Sequence, residues 1–263
     1  MYIIKIGGGN EINTAAIISD LAELKEQFII IHGANAYRDK LAEDLKTPKT
    51  VITSQSGYES VLTDENAMDV MMMAYAGYKN KRIVEMCQQK GINAIGLSGI
   101  DGQLIRAKRN NGIRVREDGK TKIVRDFSGK PKEINRELLD LLLSNGYTPV
   151  LCVPLLDENN FAVNSENDDI VALLQKEFSA EKVISLIEAP GFLDNKNDPE
   201  SLVKTISQSE LEQREAQVEG RMKRKILALR KLFAGGDTMV ILADGRIDNP
   251  IKNALNGGGT TIS

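Results

Sequence analysis

The chain has 263 residues, 41% of them hydrophobic and 27% charged, with a formal net charge of -3. So small a charge argues against a protein devoted to nucleic acid or anionic membrane, and the apolar share suffices for a sizeable core. Two distant cysteines, Cys87 and Cys152, and a single histidine, His32, give no support to a disulfide framework, a zinc site or a mechanism needing two histidines.

The chain opens with a short β-branched run, Tyr2 to Ile6, that carries Lys5 and ends in Gly7-Gly8-Gly9. It lacks the charged start and long apolar run of a secretory leader, so a reduced cytoplasmic setting is expected. From Asn13 to Lys25, Ile17, Ile18, Leu21 and Leu24 recur at helical spacing. Phe28 to Ile31 is apolar throughout, as in a strand covered on both faces of a parallel sheet. It breaks at His32-Gly33-Ala34-Asn35, and Tyr37 to Leu45 reads as helix. Asp64 to Gln89 predicts a long helix interrupted at Gly77, followed by a strand at Ala94 to Leu97. Further on, helices are expected at Glu137–Ser144, Asp168–Phe178 and Arg221–Phe233. Strands are expected at Thr148–Val153, Val183–Ile187 and Met239–Leu242. Repeated strand–helix units imply a mainly parallel sheet with helices on both faces, and ligands at the carboxyl ends of its strands.

One segment departs from this rhythm. Between Leu104 and Arg125 apolar residues alternate with Arg106, Lys108, Arg114, Arg116, Lys122 and Arg125, and Arg109 adds another charge. Alternation around Asp118-Gly119 predicts a β-hairpin with a cationic face. Such a face either steers an acidic partner or simply keeps a sheet edge solvated.

Several residues suit phosphate chemistry. A glycine turn after Lys5 lets backbone N–H groups approach phosphate oxygens beside an ammonium, although a plain tight turn is the commoner reading of such a run taken alone. There is no GxxxxGK[ST] loop and no GxGxxG fingerprint. His32 reads as a packed strand-end residue or as a general base, the former being commoner. Asn164-Ser165-Glu166-Asn167-Asp168 opens a helix, where Asp168 can cap it or hold a lysine. Gly220 to Lys225 sets a helix start beside a run of bases, either a solvated face or a phosphate site.

Taken in order, these segments resemble the amino acid kinase family. The likeness runs from Lys5-Ile6-Gly7-Gly8-Gly9 through His32-Gly33 and Ser56-Gly57-Tyr58-Glu59-Ser60 to Gly245-Arg246-Ile247 and Gly258-Gly259-Thr260. The chain looks closest to the branch of N-acetylglutamate kinases and LysW-aminoadipate or LysW-glutamate kinases, and Ala74-Tyr75-Ala76-Gly77 with Asn80-Lys81, and Asn93 through Gly102, are similar to its carrier-dependent members in particular. The resemblance implies a three-layer αβα sandwich around a mainly parallel, eight-stranded sheet, bearing an inserted basic hairpin. It implies one domain over 1–263, with an acceptor lobe over about 1–160 and an ATP lobe over about 161–263.

By match of motif, Lys5 and Lys225 would stabilise the transferring phosphoryl group and Asp168 would orient them. Gly8, Gly9, Glu188 and Gly220 would bind ATP phosphates, with Mg²⁺ as the accompanying ion and no metal held by the protein alone. Gly33, Ala34, Asn35, Val61 and Asn164 would line the acceptor site. Arg106, Lys108, Arg109, Arg114, Arg116 and Lys122 would meet a small acidic carrier protein of the LysW type, and a cytoplasmic homodimer is expected. The chain departs from the family at Ala34 and Asn35, where glycine or serine is usual. It departs also at Val61, where a substrate-binding arginine is usual, and at Glu166 in place of a neutral asparagine.

Overall fold

The computed structural model describes residues 1–47, 49–53, 59–117, 120–195, 197–217, 220–236 and 238–263, with the main chain alone for 53, 59–61, 113–117, 120, 217, 220–225 and 234–235. From the start, β1 (Tyr2–Ile6), α1 (Thr14–Leu21), β2 (Phe28–His32) and α2 (Asn35–Asp44) alternate. Two short strands, β3 (Val51–Thr53) and β4 (Glu59–Val61), pair antiparallel before α3 (Glu65–Met71) and α4 (Asn80–Gln89). Then come β5 (Ala94–Ser98), β6 (Ile105–Arg109), β7 (Ile113–Glu117), β8 (Lys120–Val124) and β9 (Gly129–Ile134). The chain continues with α5 (Arg136–Ser144), β10 (Thr148–Cys152), β11 (Leu155–Leu156), β12 (Ala162–Val163), α6 (Asn167–Phe178) and β13 (Lys182–Ile187). It closes with β14 (Thr205–Ile206), α7 (Gln208–Gln217), α8 (Gly220–Lys231), β15 (Met239–Asp244), α9 (Pro250–Leu255) and β16 (Thr260–Ile262).

Eight strands form the central sheet in the order β14-β16-β15-β13-β1-β2-β10-β5. From β13 to β5 every pairing is parallel, and β15 is also parallel to β13. Only the β15–β16 pairing is antiparallel. The expected mainly parallel, eight-stranded αβα architecture is therefore present. Alternation along each strand sends Ile3, Ile29, Ile31, Leu151 and Val183 into one apolar layer with α3, α5 and α6. Ile4, Ile6, Ile30, Val150 and Ile184 enter the other, against α1, α4 and α9. Both layers are buried, and each fully buried isoleucine contributes about 1.5–3 kcal/mol.

Chain order reverses at β1, which lies between β2 on one side and β13 on the other. Loops leaving the carboxyl ends of these strands diverge, and the crevice they leave is where a ligand fits in such sheets.

Two expectations need correction. The helix over Asp64–Gln89 is not broken at Gly77. The residues from Glu65 to Gln89 stay helical, and Met72–Lys79 form a widened π segment between α3 and α4, a device common near functional sites. Nor is Leu104–Arg125 one hairpin. β6 pairs with β9 and, through Leu156, with β11 in a separate four-stranded sheet, so the hairpin consists of β7 and β8 alone. Alternation predicted strands correctly but could not choose their partners, since β9 lies beyond the alternating run.

Candidate active site

The carboxyl ends of β1 and β2 carry two turns that interlock. Ile6 accepts from the Gly33 N–H at 2.9 Å, and Gly8 accepts from the Ala36 N–H at 3.0 Å. A Cβ on Gly8 would lie 2.8 Å from the backbone nitrogens of Ala34 and Asn35, and one on Gly33 would lie 2.8 Å from Gly8 N. Only glycine permits so close a backbone approach. α2 starts at this contact with Ala34 as its cap, and neither α2 nor α6, which starts after Glu166, has its first backbone N–H groups capped by a side chain. Such helix starts present N–H groups and the positive end of the helix dipole.

α6 is fastened to the same place. Asn167 Nδ2 donates to the His32 carbonyl at 3.2 Å. One residue on, Asp168 Oδ1 accepts a hydrogen bond and ion pair from Lys5 Nζ. Lys5 is 16% exposed and Asp168 45%. Thus a strand residue and a helix residue, 163 positions apart, meet where the turns meet.

This pair closes one end of a cleft of about 500 Å³. Glu188 and Gly191 border the cleft, while Phe192, Leu193, Leu229 and Leu232 give it an apolar wall. Glu188 Oε1 accepts from the Glu11 N–H at 2.7 Å, so its carboxylate braces the glycine turn from outside. A Cβ on Gly9 would fall 2.0 Å from the Glu188 carboxyl carbon. Gly220 and Lys225 lie in α8; the Lys225 side chain is outside the described residues. A tie that sequence reasoning missed holds α8 in place: Lys231 Nζ pairs with Asp169 Oδ1 on α6. A second acid in the first turn of α6, beside Asp168, was the available signal.

A second cavity, of about 200 Å³, contains Asn164, Thr63 and Arg38. Asn164 donates its N–H to Phe127 O at 2.7 Å and its amide to Thr63 Oγ1 at 3.2 Å. Ala34 is buried, and the Tyr75 hydroxyl, from the π segment, donates to Asn35 Oδ1. Val61 ends β4 just before this wall; its side chain is outside the described residues.

His32 is fully buried. Its Nε2 faces Asn80 Nδ2 at 3.2 Å and its Nδ1 faces the Gly33 carbonyl at 3.4 Å. Burial pushes its pKa down to about 3, opposed by the Gly33 contact and assisted by the charges of Lys79 and Lys81. It is a neutral packing residue that fixes the strand end, not a solvent-facing base.

The basic segment divides along the corrected strand pairing. Arg106 donates to Gln103 Oε1 at 2.8 Å, and Lys108 pairs with Glu158 at 3.2 Å. Arg109 turns inward instead: it is 15% exposed, reaches the fully buried Asp157 at 3.5 Å and stacks 4.2 Å from the Phe127 ring centroid. The side chains of Arg114 and Arg116 on β7 lie outside the described residues, and Lys122 on β8 is exposed. Among the described residues no group of three His, Cys, Asp or Glu could hold a metal, and no helix is long and apolar enough to cross a membrane.

Residues 1–244 match the model of the amino acid kinase family. A Thermus thermophilus protein named LysW-aminoadipate kinase is 41% identical over 268 residues, covering the whole of both chains. An acetylglutamate kinase of Methanopyrus kandleri is 28% identical over 264 residues, again covering both in full. Among solved structures, N-acetylglutamate synthase of Neisseria gonorrhoeae in complex with coenzyme A and N-acetyl-glutamate superposes with a TM-score of 0.79 at 19% identity. That match covers all of this chain and 59% of the other.

Proposed function

The chain belongs to the amino acid kinase family, and from that premise we propose that it phosphorylates an amino-blocked acidic amino acid. MgATP would donate the phosphoryl group, and the side-chain carboxylate of 2-aminoadipate or glutamate borne by a LysW-type carrier would accept it. The observation that carries this reading is the Lys5–Asp168 pair, set between the cleft and the interlocked glycine turns. Supporting it is the full-length relative named for a LysW-linked substrate. The setting would be lysine or arginine biosynthesis in the cytoplasm, and the working unit a homodimer.

In this mechanism ATP occupies the C-terminal lobe, about 161–263, with its base against Phe192, Leu193 and Leu229. The acceptor occupies the N-terminal lobe, about 1–160. An acceptor carboxylate is already ionised at neutral pH, so no base has to remove a proton. One carboxylate oxygen attacks the γ-phosphorus in line as the bond to the β-phosphate oxygen breaks, giving ADP and an acyl phosphate. The obstacle is repulsion between two anions, and positioned positive charge lowers it. Lys5, with Lys225 from α8, neutralises the migrating group. Asp168 holds Lys5 in place, and the N–H groups at Gly8, Gly9 and the start of α8 at Gly220 contact phosphate oxygens. Glu188 acts through the glycine turn that it braces. Mg²⁺, which keeps much of its water and prefers phosphate oxygens, would sit on the nucleotide near Asp168 and Glu188 and offset phosphate charge. Gly33, Ala34 and Asn35 bound the acceptor's reacting end, Asn164 its main-chain end, and Val61 adjoins that wall.

A second reading, a kinase of free N-acetylglutamate, draws on the Methanopyrus kandleri relative. Trapping acyl phosphate as hydroxamate separates the two. Product from carrier-linked aminoadipate or glutamate but not from N-acetylglutamate is the expected result. The reverse pattern would replace the first reading by the second, and no product from any acceptor would dismiss both.

A further inference from the structure

We propose that Arg38 is the residue that recognises the acceptor's main-chain carboxylate, in the cavity that also holds Asn164. This deepens the kinase reading and rests on it. The cavity wall has an unusual charge pattern. Arg38, Lys46 and Lys49 face it, against the carboxylates of Asp39 and Asp64, so one positive charge is left over. Both carboxylates are already engaged, Asp64 through one oxygen and Asp39 through two. Asp64 caps α3, accepting from the Ala67 N–H at 2.8 Å. Asp39 divides its two oxygens: Oδ1 accepts from Arg38 Nε at 3.0 Å and Nη2 at 2.7 Å, and Oδ2 accepts from Lys49 Nζ at 2.7 Å.

That division matters for geometry. Asp39 meets the guanidinium along its Nε–Nη2 edge and uses a single oxygen to do so. Among the described residues none bonds to Nη1, so the Nη1–Nη2 end of the guanidinium, which uses the second Nη2 hydrogen, remains for a second carboxylate. The guanidinium is held on a helix and is only 20% exposed, so little side-chain freedom is lost on binding, and a planar fork matches a carboxylate better than an ammonium does. Ala42, Ala67, Val70 and Met71 line the same cavity and suit the methylenes of an acidic side chain. Asn164, which lines this cavity, stands just before α6 in the chain, four residues ahead of Asp168. An acceptor anchored at Arg38 would therefore extend its side chain towards the Lys5–Asp168 pair.

The test uses full-length protein and four probes: 2-aminoadipate and glutamate, each linked through its amino group to the carrier protein, and the main-chain carboxamide of each. Binding is followed by calorimetry, independently of turnover. Wild type should bind the carboxylates at least ten-fold more tightly than the carboxamides. Arg38→Gln should erase that preference, and Arg38→Lys should restore only part of it. Melting curves confirm that both variants fold. A wild-type preference that survives in Arg38→Gln would overturn the assignment while leaving the kinase reading in place. A preference lost in Arg38→Gln, with no hydroxamate formed by wild type from any acceptor, would support Arg38 and remove the kinase reading. Failure of wild type to bind any probe, or to prefer carboxylate, would overturn the assignment.

Discussion

Replacing Lys5 by methionine keeps the length and apolar stem of the side chain but removes its charge, and it tests the centre of the proposed mechanism. At a separation of about 4 Å and an effective dielectric of about 20, two unit charges interact by about 4 kcal/mol. Each 1.36 kcal/mol is a factor of ten in rate, so the upper limit is about three decades. Bound ATP already feels part of this attraction before transfer, so the expected fall in kcat is about 100- to 1,000-fold. Stability should respond differently. Asp168 is 45% exposed and water can solvate it once Lys5 is gone, so the ion pair is worth about 1 kcal/mol or less. That corresponds to a melting shift of about 2–4 °C for a domain of this size. Steady-state kinetics of hydroxamate formation at saturating ATP, with calorimetric melting of the same preparation, provide both numbers. A kcat loss below about ten-fold, or a loss matched by an equal rise in the KM for ATP, would refute a transition-state role for this ammonium.

Three other outcomes are expected. Gly8→Ala forces a Cβ against backbone atoms that cannot swing away, at 2.8–2.9 Å. It should cost about 1–3 kcal/mol and most of the activity, whereas in Gly9→Ala the Glu188 side chain can move aside, sparing stability; equal melting temperatures for the two would contradict this packing. His32 binds a proton near pH 6.5 when unfolded but only near pH 3 when folded. Its burial therefore costs nothing above about pH 6.5 and progressively destabilises the fold as pH drops from there to about 3. His32→Gln should flatten the decline in urea midpoint between pH 7 and pH 4, and a decline as steep as wild type would exclude His32 as its source. Reversing Arg114, Arg116 and Lys122 to glutamate should raise the KM for carrier-linked acceptor by about ten-fold at low salt and leave the KM for ATP unaffected. Loss of that effect at about 1 M salt, where screening acts within about 3 Å, would support charge steering.

Periodicity made the parallel core legible because its strands are covered on both faces and read as continuous apolar runs. Phe28–His32 and Lys182–Ile187 are examples. The Lys5, Asp168 and glycine-turn geometry could be anticipated because each sits at a strand end or a helix start. Pairing was less accessible. Nothing local in Ile105–Arg109 favours β9 over β7 as a neighbour, and that choice decides whether Arg109 faces solvent or Asp157. α9, with six residues, is too short for a clear apolar stripe, and α7, QSELEQREAQ, is almost wholly polar, so tertiary contact rather than local pattern stabilises them. The cap on α9 comes from Asp20, 231 residues earlier, whose Oδ2 accepts from the Ile251 N–H at 2.9 Å. The Arg38 cavity escaped for the same reason: its wall is drawn from α2, the β3–β4 region, α3 and the approach to α6, and no window of sequence spans them.

The place of β1 has a consequence for how the chain reaches its native state. One edge of this strand finds β2 after a short excursion, but the other must wait for β13, with Ile3 opposite Val183. Until that return, a strand with three isoleucines among its five residues keeps a row of unmatched amides and carbonyls, a template for sticking to other chains. A polypeptide cut between β12 and β13 should therefore be recovered as aggregate rather than as a tractable half-molecule, and a fragment carrying only β13 onward should rescue it when co-expressed.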